Sequence, residues 1–308
     1  MDRIVDIATD KRHLSRYRGF LVVSEGHTEL GRVPLDDILA IVVHANGVTY
    51  SNSLLAELAR RGALVVICGA NHAPLAIVTP IEGHHAQAGR IQRQWNAKQP
   101  LLKQLWKTLI ISKIKMQAEA LAAFSQKDER LNYLATQVKS GDPENIEAQA
   151  ARHYWPLLMG QEFRRDRQSP GINGLLNYGY TVLRAAVSRA IVASGLHPSI
   201  GLHHHNKLNA FALADDLMEP FRPLVDCAVL GLIKRGVDEV CPDAKSVLTA
   251  LIAFDLDMGM TRSPMTSALN SLCFSLAQSF QQGKPNLLLP IPPSRLELIS
   301  LGGADGSA

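Results

Sequence analysis

Apolar residues in the first part of the chain occur in short runs separated by segments rich in turn-forming residues. Such spacing predicts a mainly β-stranded region. One helical pattern interrupts it between Ser53 and Arg61, where leucines recur at helical spacing. We therefore expect a small β-rich domain over residues 1–82. Its predicted strands are Arg3–Ile7, Gly19–Val23, Ile38–Val43, Leu64–Cys68 and Ala73–Val78.

Beyond residue 96 the apolar positions follow helical spacing almost to residue 283. Residues 83–96 are mostly small or polar, which predicts a linker between the two regions. Residues 284–308 are rich in proline, glycine and serine and predict a loose C-terminal tail. The predicted fold class is therefore α+β, a small N-terminal β-rich domain followed by a larger all-α domain over residues 97–283.

One helix start is marked in the segment GDPENIEAQAARHYW, residues 141–155. Asp142 is placed to be the N-cap, with a proline at the first helical position after it. Glu147 then shares one helix face with two alanines and Tyr154. Small residues on that face allow another helix to approach closely, where a carboxylate is costly without a partner. A solvent-facing glutamate remains the alternative.

The densest group of candidate ligands lies in GLHHHNKLNAFALADDLMEPFRP, residues 201–223. At 100° per residue, its apolar side chains occupy an arc of about 140° and its acids face the other way. Pro220 lies within the apolar pattern and predicts a kink. A solvated acidic face would give a similar pattern, but the adjacent histidines favour a functional site. The candidates are His203, His204, His205, Asp215, Asp216 and Glu219.

Composition restricts the class of protein. A chain of 308 residues with 46% hydrophobic residues is long enough for two domains with apolar cores. No apolar run is long enough to cross a bilayer and the N-terminus lacks the apolar core of a signal peptide, so we expect a cytoplasmic protein with no membrane association. The four cysteines are widely spaced without a CxxC pair, which predicts reduced thiols and neither a zinc site nor a disulfide framework.

The distribution of charge says more than the net charge of +4. Between Gly83 and Ala118 there are seven basic residues and no acid, and Arg164, Arg165 and Arg167 form a second cluster in a predicted loop. Basic stripes of this kind suit a polyanion such as nucleic acid, with a merely solvated helix face as the alternative.

Histidine together with carboxylates on helices is a ligand set for a divalent cation. Carboxylates suit Mg²⁺ and Mn²⁺, and one imidazole favours Mn²⁺ without excluding Mg²⁺. Neighbours in the run from His203 to His205 point in different directions, so we expect one of them to be the ligand. A single hydrated cation beside basic stripes indicates phosphodiester chemistry.

Five segments, taken together, resemble the CRISPR-associated adaptation integrase family, a metal-dependent DNase and spacer integrase, and most closely its type II form. The resemblance implies a β-rich domain joined to a helical catalytic domain. It also implies a metal bound by Glu147, His204 and Glu219, with support from Asp215 and Asp216. The matching segments are Gln104–Ala118, Glu147–Trp155, Asn173–Tyr180, Gly201–Asn206 and Asp215–Pro223.

The resemblance further implies that the 3′-hydroxyl of a short duplex DNA attacks a phosphodiester at the repeat boundary of a CRISPR array. With water as the nucleophile, the same site would nick or hydrolyse DNA. Family members form homodimers, two of which flank a dimer of a small ferredoxin-like partner subunit in a heterohexamer. The residues expected to contact DNA phosphates are Lys107, Lys115, Arg164 and Arg165.

Two other functions remain open from the sequence. The first is a DNA-binding structural subunit whose metal site is degenerate. The second is a zinc hydrolase that uses His203, His204 and His205, although the chain lacks the HExxH spacing that places two imidazoles on one helical face.

Overall fold

A computed structural model describes residues 3–69, 72, 74–124, 129–204 and 209–302. The chain divides into two compact units, Met1–Gly83 and His84–Ala308. The predicted α+β fold class is confirmed, because strands fill the first unit and helices dominate the second. No helix in the part of the chain described here is both long enough and apolar enough to cross a bilayer.

The N-terminal unit contains two four-stranded sheets in its described part, with strand orders β1-β5-β7-β8 and β4-β3-β2-β6. In the first sheet, β5 lies parallel to both β1 and β7, and β8 runs antiparallel at the edge. The elements are β1 (Arg3–Ile7), β2 (Arg12–Tyr17), β3 (Phe20–Glu25), β4 (Thr28–Pro34), β5 (Ile38–Val43), β6 (Val48–Tyr50), α1 (Asn52–Arg60), β7 (Leu64–Cys68) and β8 (Pro74–Val78).

Strand position explains which strands the sequence revealed. All six residues of β5 are buried because it has parallel neighbours on both sides, and its sequence is therefore a continuous apolar run. In contrast, β2 and β4 carry mainly polar, partly exposed side chains and have no such run, so they were missed. Leu14 of β2 and Leu54 of α1 join the same buried apolar cluster as β5.

The second unit is built from ten helices in its described part, with a short two-stranded ribbon. Helix α3 packs against α4, α5, α8 and α11, and α6 packs against α8, α9 and α10. The elements are α2 (Gln87–Trp95), α3 (Gln99–Phe124), α4 (Glu129–Gln137), α5 (Ile146–Met159), α6 (Ile172–Ala193), α7 (Ala212–Leu217), α8 (Arg222–Lys234), α9 (Pro242–Ala250), β9 (Asp255–Asp257), β10 (Arg262–Pro264), α10 (Met265–Gln282) and α11 (Arg295–Ser300).

The segment predicted as a linker, residues 83–96, instead contains helix α2. The Gln94 side chain is buried and donates to the carbonyls of His197 and Ile200 at 3.0 and 2.8 Å. Arg90 donates to the carbonyl of Ser194. Two polar side chains of this segment therefore bond to backbone groups about a hundred residues away along the chain.

The expected loose tail, residues 284–308, is ordered up to residue 302, beyond which the structure describes nothing. Ser294 and Glu297 form a capping box at the start of α11, and Leu298 is fully buried. Gly302 lies against Gly231 of α8, where a Cβ on Gly231 would be 2.3 Å from the Gly302 Cα. The C-terminal helix is therefore part of the helical core, packed on α3 and α8.

Substituting Gly231→Ala should separate α11 from α8, because the added methyl group meets backbone that cannot rotate away. We expect the free energy of unfolding to fall by about 1–3 kcal/mol, measured by urea denaturation. The matched control is Gly89→Ala in α2, where a Cβ meets nothing within 4 Å and alanine should stabilise by about 0.5–1 kcal/mol. Equal effects of the two substitutions would contradict the close packing.

Candidate active site

A buried lysine brings together two of the predicted acidic ligands. Lys113 on α3 donates from Nζ to Oε1 of Glu147 on α5. The same Nζ lies 2.6 Å from Oε2 of Glu219, in the turn after α7. Three separate elements therefore meet at one ammonium group, and the two carboxylates converge on a single positive charge.

Glu219 is buried and held ionised by its neighbours. Arg222 donates from Nε to Oε1 of Glu219 at 2.7 Å. Burial alone would raise the pKa of Glu219, but Arg222 and Lys113 lower it to about 2. Burial alone would likewise lower the pKa of Lys113, but Glu219 and Glu147 raise it above its ordinary value. Both partners therefore carry full charge near neutral pH.

Pro220 positions Glu219. At the predicted kink the helix type changes locally: α7 ends at Leu217, residues Glu219–Phe221 form a 3₁₀ turn, and α8 starts at Arg222. Glu219 lies at the start of this turn and is buried, with 7% of its surface exposed.

Glu147 lies in the first turn of α5, where the helix dipole favours a carboxylate. The predicted N-cap was three residues early, because α5 begins at Ile146 with Asn145 as its N-cap. Asp142 nevertheless accepts from the amides of Ile146 and Glu147 at 2.8 and 3.0 Å. Its carboxylate caps the helix from the preceding loop, an arrangement that local capping rules do not distinguish from a direct cap.

Asp216 fixes the orientation of His204. The two side chains are joined by a 2.5 Å hydrogen bond between His204 Nδ1 and Asp216 Oδ1. Asp216 is fully buried and also accepts from the amides of Leu202 and His203, at 2.6 and 3.0 Å. The hydrogen bond to Asp216 raises the pKa of His204. The Asp216 carboxylate therefore holds both the loop backbone and the Nδ1 atom of His204. Nε2 is the ring nitrogen that does not bond to Asp216.

The other two histidines of the run are in different situations. His203 stacks on Trp106 of α3, with ring centroids 4.3 Å apart and planes parallel within 1°. His204 meets the edge of the same indole at 5.8 Å. His205 lies outside the described residues. His204 thus has Asp216 as a carboxylate partner at the site, and His203 is stacked on Trp106.

Asp215 faces a different neighbour from Asp216. It accepts from Arg184 of α6, at 2.7 Å to Nη2, and from Nδ2 of Asn209 at 2.8 Å. Asn209 also accepts from the amide of Phe211, the residue that precedes α7. Asp215 therefore anchors α7 to α6.

The donor set suits a divalent cation, although Lys113 now contacts both glutamates. Within the described residues, no group of three His, Cys, Asp or Glu side chains lies close enough to hold a metal ion. Oε2 of Glu219 is buried and, despite its nearness to Lys113, accepts no hydrogen bond of normal geometry from the described residues. Two carboxylates gathered on one cation and an oriented imidazole are ligands that Mg²⁺ and Mn²⁺ use.

A second buried carboxylate joins the helices behind the site. Asp226 of α8 accepts from the hydroxyls of Tyr154 and Tyr180, at 3.0 and 2.5 Å. The Arg222 guanidinium lies 4.7 Å from the centre of the Tyr180 ring. Tyr154 is on the same helix as Glu147, so Asp226 fixes α5 relative to the turn that carries Glu219.

The predicted phosphate contacts differ in exposure. Lys115 and Arg164 are exposed and Lys107 is half-buried. Arg165 donates from Nη1 and Nη2 to the side-chain oxygens of Asn173 and Asn177, at 2.8 and 2.7 Å. Arg165 therefore ties the loop before α6 to the first turns of that helix, a structural use that its place in a basic cluster did not indicate.

Lys113 is the residue whose role the sequence interpretation missed, since it was counted in the basic stripe. A signal was present: Leu102, Trp106, Leu109, Lys113 and Met116 alternate at spacings of four and three, and all are buried. A lysine at an apolar position of such a pattern requires a buried anionic partner. The local charge pattern instead predicted a basic stripe for a polyanion, with a solvated helix face as the alternative.

Comparison with known proteins identifies the family of the chain. A family model described as CRISPR associated protein Cas1 matches residues 5–240. A CRISPR-associated endonuclease Cas1 from Neisseria meningitidis serogroup C (strain 8013) is 36% identical over 268 residues, covering 84% of each chain. The chain belongs to the Cas1 family, which confirms the family resemblance seen in its motifs.

Solved structures share the fold. A casposase bound to integration product superposes with a TM-score of 0.78 at 19% identity, over 92% of each chain. A chain of a Cas6-RT-Cas1–Cas2 complex gives 0.75 at 18% identity, over 94% of this chain and 36% of the other. At these identities the likeness establishes architecture alone.

The buried Asp226 predicts a pH-dependent stability. Burial raises its pKa to about 6, from an ordinary 3.8, against the lowering effect of the two tyrosines and Arg222. The folded state therefore holds this proton more tightly than the unfolded state does. The free energy of unfolding contributed by Asp226 should fall by about 3 kcal/mol as the pH rises from about 4 to 6.

Comparing urea unfolding of the wild type and Asp226→Asn across this range isolates the contribution, because other carboxylates titrate in both proteins. Tyr180→Phe removes a hydrogen bond that lowers the Asp226 pKa, so the upper end of the window should move to higher pH. A stability difference that does not vary with pH would contradict the assignment.

Proposed function

We propose that this protein is the metal-dependent DNA endonuclease and integrase of CRISPR adaptation, which joins the 3′-hydroxyl ends of short duplex DNA into a repeat array. The observation that carries the proposal is the convergence of Glu147 and Glu219 on one cation beside an oriented His204. The Neisseria relative is named an endonuclease, and the casposase neighbour is described as bound to an integration product.

Glu147, His204 and Glu219 would hold Mg²⁺ or Mn²⁺. When bound, the metal supplies positive charge for the phosphoryl oxygen and for the attacking or leaving oxygen. Asp216 accepts a hydrogen bond from Nδ1–H of His204, so Nε2 would be the ligand atom. A carboxylate commonly supports a metal-binding histidine in this way. Asp215 supports this indirectly by anchoring α7 to α6 through Arg184.

The remaining side chains hold charge and substrate. Arg222 neutralises Glu219 and holds it in place. Direct attack by a 3′-hydroxyl or by water needs no covalent intermediate, so no activated serine or cysteine is required. Exposed Lys115 and Arg164, with half-buried Lys107, would contact phosphates, which makes DNA binding salt-dependent and largely independent of sequence. Arg165 would contribute mainly through the loop that it holds.

The proposed assembly is a homodimer that works with a small ferredoxin-like partner subunit in a heterohexamer on double-stranded DNA. Support comes from the fold shared with a chain of a Cas6-RT-Cas1–Cas2 complex. The β-rich unit holds no part of the candidate site, and we assign dimerisation and partner contacts to it. The compartment we propose is the cytoplasm, where such DNA lies.

One observation favours a second candidate, a DNA-binding structural subunit with a degenerate site. A lysine between the two glutamates neutralises them without a metal. A supercoiled-plasmid nicking assay separates the two functions, because only the nuclease gives nicking that requires Mn²⁺ and stops with EDTA. The zinc hydrolase gains no support, since His203 is stacked on Trp106 and His204 bonds to Asp216.

Replacing Glu147 with glutamine should reduce strand transfer on the order of 100-fold or more, because the variant loses one anionic metal ligand. The assay uses a 3′-hydroxyl duplex and a repeat-bearing plasmid with Mn²⁺ and the small partner. Glu147 is partly exposed at the helix start, so folding and duplex binding should be retained.

The matched control is Glu144→Gln, an exposed glutamate near the same helix start that pairs with Lys139. It should leave strand transfer within about two-fold, the effect expected for a surface ion pair. Undiminished strand transfer by the Glu147→Gln protein would refute the proposed role.

A further inference from the structure

We infer that Lys113 is a tethered counter-cation that holds the two glutamates together in the metal-free protein and competes with the divalent metal for them. The inference rests on the proposed metal-dependent function and adds a residue that has no place in its ligand set. It predicts two arrangements of one site, with the carboxylates bound either by the ammonium group or by the metal.

The first support is burial on both sides of the ion pairs. Lys113 and Glu219 each expose 7% of their surface, in the middle of the helical unit. Removing either charge leaves the other buried without its counter-ion, which is strongly destabilising. Glu147 and Glu219 both contact the same ammonium group, so their carboxylates would repel each other if that cation were absent. Lys113 therefore assembles the site before any metal arrives.

The second support is the charge balance. Glu147 and Glu219 contribute two negative charges, and Lys113 and Arg222 contribute two positive charges. The described pairs are therefore neutral as they stand. A divalent cation at the same oxygens would add two positive charges next to an ammonium group that lies 2.6 Å from Glu219 Oε2. Two cations at the same oxygens would repel each other strongly, so we expect the ammonium group to withdraw when the metal binds.

The third support is the nature of the two basic residues. Lysine carries a compact charge on a flexible four-carbon stem and can withdraw by rotating its side chain. Arg222 is held more firmly, by its bond to Glu219 and its stacking on Tyr180. The geometry therefore selects Lys113 as the cation that yields. One consequence is that the observed affinity for metal is lower than the intrinsic affinity of the ligands, because binding must also displace Lys113.

Metal affinity tests the inference without an activity measurement. Purified, chelator-treated full-length protein is titrated with Mn²⁺, and free Mn²⁺ is followed by electron paramagnetic resonance. Lys113→Gln should bind Mn²⁺ on the order of ten-fold more tightly than the wild type, because no internal cation competes. Its melting temperature should fall in EDTA and recover with Mn²⁺. The control is Lys139→Gln, which removes an exposed lysine–glutamate pair and should change neither quantity.

Lys113→Arg keeps the positive charge and should bind Mn²⁺ no more tightly than the wild type. If Lys113→Gln does not fold without metal, the arginine variant decides the test. Tighter Mn²⁺ binding by Lys113→Arg than by the wild type would overturn the inference. Equal or weaker Mn²⁺ binding by folded Lys113→Gln would overturn it directly. In that case, wild-type Mn²⁺ binding that is lost in Glu147→Gln would show that the proposed metal site survives. Absence of Mn²⁺ binding in every protein would overturn both.

Discussion

The ion pairs of Lys113 with Glu147 and Glu219 are the interaction on which the rest of the helical unit depends. They join α3, α5 and the turn before α8 through charges that are too buried to be left unpaired. Each surrounding feature serves to bring one of these three side chains to the same point. Asp142 ties the loop before α5 to its first amides, and the 3₁₀ turn that contains Pro220 carries Glu219.

Two further buried carboxylates extend this arrangement in opposite directions. Asp216 gathers the loop amides and orients His204 at the open side of the site. Asp226 joins α5, α6 and α8 on the inner side through two tyrosine hydroxyls. Their neighbours give them opposite roles: Asp216 supports a half-exposed histidine, whereas burial of Asp226 raises its pKa to about 6. The candidate site therefore lies next to α5, α6 and α8, the three helices that Asp226 joins.

The sequence predicted the features that local patterns encode. Apolar runs located the buried strands such as β5, helical spacing located the long helices, and the cluster around His204 and Asp216 was visible because its members are close in the chain. Features that depend on distant partners were missed or misplaced. Gln94 bonds to a loop about a hundred residues away, and the local pattern predicts a linker where α2 lies. The charge pattern places Lys113 in a basic stripe for a polyanion, because its acidic partners come from two other elements.

The central claim is that Glu147, His204 and Glu219 form one metal site whose metal-free state is held by Lys113. The most direct test is anomalous scattering from crystals of the protein soaked with Mn²⁺. The account predicts one strong peak contacted by those three side chains, with Lys113 Nζ no longer in contact with both glutamates. A peak elsewhere, or no peak at this position while Lys113 still bridges the two carboxylates, would contradict it.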